Sequence, residues 1–190
     1  MTAQPAQTVR HFEQAFAGQA GTVGLARRFV RLVLDDQVRG GVVAAGTCDD
    51  AQLCVSELAG NAVRHTRSGG PDGSYRVIVE TGPGGRVHAE VRDQGGAGTI
   101  PQVLGGGAEP DRESGRGLLT CAALGVFGAS RDRPAGRSGD RADDRAGDPA
   151  GCRVWVDLPH PADPDPSPSL SPSPLLAGAV AHGADGSERR

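Results

Sequence analysis

The sequence predicts an α/β fold in which three helices and five strand-like segments share one core. Apolar residues recur at helical spacing in two long stretches, and short runs rich in Val, bounded by Gly, Pro and Asp, recur between and after them. At 37% hydrophobic content, 190 residues support one substantial domain with appendages rather than two cores.

Residues 9–17, with Phe12 and Phe16, are expected to form a first strand after a structureless segment 1–8. From Thr22 to Val38, Val23, Ala26, Val30 and Leu34 repeat at helical spacing with arginines opposite, which predicts an amphipathic helix ended by Gly40 and Gly41. Thr47 followed by Asp50 approximates a capping box, so a second helix is expected from near Cys48 to about Thr66. The turn chemistry of 68–73 then leads into a hairpin, 75–80 and 87–92, around Gly82-Pro83-Gly84-Gly85. The glycine-rich stretch 93–113 lacks periodicity and is expected to be a long loop with a functional task. A short helix over 115–124 follows, and strands 126–130 and 152–158 flank an insert at 131–150 laden with Arg and Asp. From Pro159 the Pro, Ser and Asp pattern cannot bury enough surface to offset ordering entropy, so 159–190 is expected to be a structureless tail.

Composition narrows the function classes. A net charge of -3 with interspersed arginines lacks the clustered basic face that counterion release requires, so no nucleic-acid partner is expected. No apolar run approaches the ~18 residues needed to span a bilayer, and the first residues do not resemble a signal peptide. A cytoplasmic protein without a membrane partner is therefore expected. Cys48, Cys54, Cys121 and Cys152 show no CxxC spacing and read as reduced core thiols. All 20 basic residues are arginine, which excludes a P-loop, whose lysine this chain lacks.

On the second helix, Glu57, Asn61 and His65 fall at successive i+4 positions and form a polar stripe, while Val55, Leu58 and Ala62 form an apolar one. Alone, such a stripe is most often a solvated face. It acquires meaning beside two glycine-bearing segments: Asp93-Gln94-Gly95-Gly96 after a strand, and Ser114-Gly115-Arg116-Gly117-Leu118 opening a helix. An Asp-Gly loop is usually just a turn, and a lone GxG is weak evidence.

In order and spacing these three elements resemble the N box and two glycine boxes of the Bergerat-fold (GHKL) ATPases, over roughly residues 10–158. Within that superfamily SELAGNAVRHT (56–66), CRVWVDLP (152–159) and ARRFVRLVL (26–34) look most like bacterial anti-sigma-factor serine/threonine kinases. The resemblance implies a two-layer sandwich: a mixed, mostly antiparallel sheet, three helices on one face, and an ATP lid at 93–114. It implies ATP and Mg²⁺ as cofactors, with Glu57 as general base and Asn61 as metal ligand. The adenine and phosphates would meet Arg64, Asp93, Gly95, Gly115, Arg116, Gly117 and Leu118.

The chemistry of those residue types agrees. An Asn carbonyl is a hard oxygen ligand suited to Mg²⁺, and a carboxylate one turn away can take a proton near a γ-phosphate. Asp93 can accept a hydrogen bond from the adenine amine, and Gly115 and Gly117 can aim backbone N–H groups at phosphates from a helix N-terminus. For His65 a packing or capping role is expected. The partners implied are an anti-anti-sigma (STAS-like) protein and a sigma factor, with a homodimer possible. A catalytically silent, ATP-dependent protein-binding regulator is the alternative.

The chain departs from the family pattern in three places. Ala97 stands where many relatives have glycine, the acidic-aromatic pair after the last helix is absent around Gly125 and Val126, and the insert is longer than the usual hairpin turn. A gyrase-type motor would recruit a lysine from a second domain, and a complete histidine kinase would carry its phospho-accepting histidine on a long dimerisation helix. Neither feature is found in the sequence, and His11 falls in a strand-like segment.

Overall fold

The computed structural model describes residues 9–96, 116–131 and 151–159. The expectations for 1–8, for most of the lid including Gly115, for the insert at 132–150 and for the tail from 160 lie outside the described residues.

The elements follow in the order β1 (Arg10–Ala17), α1 (Val23–Arg39), α2 (Ala45–His65), β2 (Ser74–Thr81), β3 (Val87–Asp93), α3 (Arg116–Leu124), β4 (Val126–Arg131) and β5 (Cys152–Leu158). The strands form one sheet in the order β1-β2-β3-β5-β4, and all four pairings are antiparallel. With three helices over it, this is the two-layer α/β sandwich expected.

Period-two alternation shows which way the sheet faces. On β5, Cys152, Val154, Val156 and Leu158 are buried, and on β3, Val87, Ala89 and Val91 are buried in register with them. These residues join Val77 and Val79 of β2, Ala26, Val30 and Leu34 of α1, Val55, Leu58, Ala59 and Ala62 of α2, and Cys121 of α3 in one core cluster. All three helices therefore cover the same face. The spacing Ala26, Val30, Leu34, Gln37 places α1's buried stripe on that core, and a buried hydrogen bond from the Thr81 hydroxyl to Gln37 Oε1, 2.7 Å, joins α1 to β2.

The start of α2 differs from the expected capping box. The helix begins at Ala45 behind Ala44, whose backbone is extended and which offers no side-chain cap. Thr47 lies inside the first turn and is buried, so it is not the residue that caps the helix. The far end is capped as chemistry suggests. The Thr66 hydroxyl donates to the Ala62 carbonyl at 2.6 Å and accepts the Ser68 N–H at 3.1 Å, turning the chain into a 3₁₀ turn at Arg67–Gly69. All four cysteines are buried free thiols.

Candidate functional site

The polar stripe survives folding. Glu57 and Asn61 are half-buried on α2, while Val55, Leu58, Ala59 and Ala62 on its other flank are buried in the core. One turn beyond Asn61, His65 is exposed at the rim. The Asn61 Oδ1 accepts a hydrogen bond from Arg64 Nη2 at 3.1 Å, and the guanidinium lies back over Gly60. A half-buried amide carbonyl oxygen is a donor that suits a hard metal ion, although here Arg64 engages it.

Glu57 meets the second glycine segment directly. A Cβ placed on Gly117 would lie 2.2 Å from Glu57 Oε2 and 2.9 Å from its Cδ, so only glycine permits this approach of carboxylate to helix. The contact puts a negative group against the first turn of α3, where the helix dipole favours it. Arg116 is exposed beside it. Leu118 is half-buried and its side chain packs on the core cluster, which supports α3.

At the end of β3 the Asp93 side chain is buried, and its Oδ1 accepts the Gly95 N–H at 2.6 Å. Gly95 takes φ 68°, the left-handed conformation that closes this turn and that glycine adopts without strain. The turn is fastened to the end of α2. The Arg67 N–H donates to the Gly95 carbonyl at 2.7 Å, its side chain to the Gln94 carbonyl, and the Gln94 N–H donates to Ser68 Oγ at 2.9 Å. The sequence points to neither Arg67, which falls between the helix and the turn, nor Ser68, which reads only as the start of the turn at 68–73.

The structure thus brings Glu57 to Gly117, Asn61 to Arg64, and the Asp93 turn to the residues that end α2. A family model for the histidine kinase-like ATPase domain matches residues 6–125, more than half of the chain. The chain belongs to this family. Its membership accounts for the Bergerat-type sandwich and makes ATP the nucleotide of the domain. The family match ends at Gly125, just after α3, yet β4 and β5 beyond it complete the sheet, with β5 inserted beside β3. No curated protein matches the chain. Among the described residues no helix is long and apolar enough to cross a membrane.

Proposed function

We propose that this chain is an ATP-dependent protein serine/threonine kinase of the anti-sigma-factor type. It phosphorylates an anti-anti-sigma (STAS-like) partner and thereby regulates a sigma factor that it also binds. The observation that carries this reading is the Glu57 carboxylate, one turn before Asn61 on α2 and packed against Gly117 at the start of α3. A base, an oxygen ligand and a helix N-terminus in that arrangement suit transfer of a phosphoryl group. The protein works in the cytoplasm, as a possible homodimer, without nucleic-acid or membrane partners.

Each residue then has a task. Asp93 accepts a hydrogen bond from the adenine amine, and Gly95 lets the backbone approach the base. Gly117, with Gly115, offers backbone N–H groups to the phosphates, and Arg116 adds charge. Asn61 would hold Mg²⁺, which would neutralise phosphate charge there. Arg64 releases the Asn61 oxygen and turns to the triphosphate. Glu57 accepts the proton of the acceptor hydroxyl as its oxygen attacks the γ-phosphorus, and ADP departs.

Incubation with γ-labelled ATP and the STAS-like partner should label that partner. Glu57→Gln should lower transfer about 10²–10⁴-fold while ATP binding persists. ATP binding by the wild type with no transfer would instead support the catalytically silent regulator. That second reading draws on the Arg64–Asn61 bond, which engages the oxygen a metal would need.

A further inference from the structure

The turn that carries Asp93 is held from outside by residues no catalytic role requires. One guanidinium, that of Arg67, donates both Nε and Nη2 to the Gln94 carbonyl at 3.1 and 2.6 Å. The Arg67 N–H takes the next carbonyl, that of Gly95, at 2.7 Å. Ser68, fully buried, accepts the Gln94 N–H on its hydroxyl at 2.9 Å. Both polar groups of the Gln94 backbone and the carbonyl of Gly95 are therefore fixed by two consecutive residues. Those residues follow directly from α2, because Thr66 ties Ser68 to Ala62, the neighbour of Asn61.

The Asp93 carboxylate accepts the Gly95 N–H, so its direction depends on the peptide planes of Gln94 and Gly95. We infer that Arg67 and Ser68 are positioning residues that buckle the Asp93–Gly95 turn to the end of α2, setting base recognition in register with the Glu57 and Asn61 side of the site. This inference rests on the ATP-site reading above. A planar fork is needed to give two hydrogen bonds to one carbonyl, and a lysine supplies only a point donor. Arg67 is exposed, so its truncation removes the guanidinium's two hydrogen bonds to Gln94 without opening the core, while its backbone N–H and Ser68 still hold the turn.

The test compares ATP, GTP and inorganic tripolyphosphate binding, each with Mg²⁺, by the full chain and by Arg67→Ala, Arg67→Lys and Ser68→Ala, with thermal unfolding to confirm folding. The wild type should prefer ATP to GTP. Arg67→Ala should weaken ATP roughly 10–100-fold, bring the ATP/GTP ratio toward one and leave tripolyphosphate unchanged, with Arg67→Lys only partly restoring the ratio. Ser68→Ala should move the ratio in the same direction. An unchanged ratio in folded Arg67→Ala, or equal losses for all three ligands, overturns the buckle while leaving the ATP site standing. Failure of the wild type to bind ATP overturns the site reading itself and this inference with it.

Discussion

Neighbouring residues of β5 set the two faces of the sheet side by side. Val154 and Val156 are buried beneath the helices, whereas Arg153, Trp155 and Asp157 point to the opposite face. That second face carries a set of charges, one large aromatic and the buried Ile78, which pairs in register with Glu13 and Glu90. His88 bonds Asp157 at 2.7 Å and lies 3.5 Å from Glu90, Arg92 pairs with Glu90, and the Arg153 guanidinium lies 5.9 Å from the Trp155 ring centroid. Trp155 can lie flat there because its strand partner is Gly128, where a Cβ would come within 2.2 Å of the indole. One face is a continuous apolar core, whereas the other joins paired charges to the buried Ile78. The candidate site belongs to the first, along the helices and at the end of β3.

The strongest way to break this contrast is to exchange the chemistry of adjacent positions. Val156→Asp would bury an unpaired carboxylate, costing several kcal/mol against the ~5–15 kcal/mol of a typical domain. The chain should fail to fold. Asp157→Val, one residue on, should give a folded protein with only its His88 pairing lost. Urea unfolding followed by circular dichroism would distinguish them, and similar midpoints for both variants would show that the faces are misassigned.

A second probe uses protons. Burial works against the charged form of His88, but its hydrogen bonds to Asp157 and Glu90 outweigh that and raise its pKa from 6.5 to about 9. Because the folded value lies above the unfolded one, the stabilisation is fully present below pH 6.5 and is lost as pH rises through about 9. The gap bounds the effect at roughly 3 kcal/mol. Glu90 has the opposite sign: burial again opposes its charge, yet His88 and Arg92 hold its pKa below the ordinary 4.5, so its contribution is lost as pH falls below that value. Unfolding free energy should decline between pH 7 and 9.5 in the wild type, and His88→Gln should flatten the decline. An equal slope in both proteins would remove His88 from the account.

These contrasts also explain what could be read from the sequence. The alternation in CRVWVDL and the spacing Ala26, Val30, Leu34 are local patterns, so β5 and α1 were legible, as was the Glu57/Asn61 stripe at i+4. The Thr47–Asp50 pattern misled because the helix already starts at Ala45, which leaves Thr47 buried inside its first turn. The insertion of β5 between β3 and β4, the Glu57–Gly117 approach and the Arg67–Gln94 bond each join residues far apart in the chain. No periodicity encodes such pairs.

The helix-side face has a polar exception, and it sharpens the contrast at smaller scale. Thr81→Val keeps the shape but leaves the buried Gln37 Oε1 without its 2.7 Å donor, which should cost about 1–3 kcal/mol. Chemical denaturation would check it, with a loss well under that range showing that Gln37 finds another partner. The same loss should appear at low and high salt, because this bond is neutral and enclosed.

The smallest effect is expected on the opposite face, where Arg76 bonds Glu13 across β1 and β2 at 2.5 Å. The two side chains remain 52% and 35% exposed, so water screens their attraction and ordering both costs entropy. A double-mutant cycle on Arg76→Ala and Glu13→Ala should give a coupling of about 0.2–1 kcal/mol that shrinks as salt is raised. Thr81 and Arg76 lie five residues apart on one strand, on opposite faces. If Arg76 showed the larger cost, or a coupling indifferent to salt, then its surroundings would have to be as dry as the core, and the difference between the two faces would be one of residue type rather than of access to water.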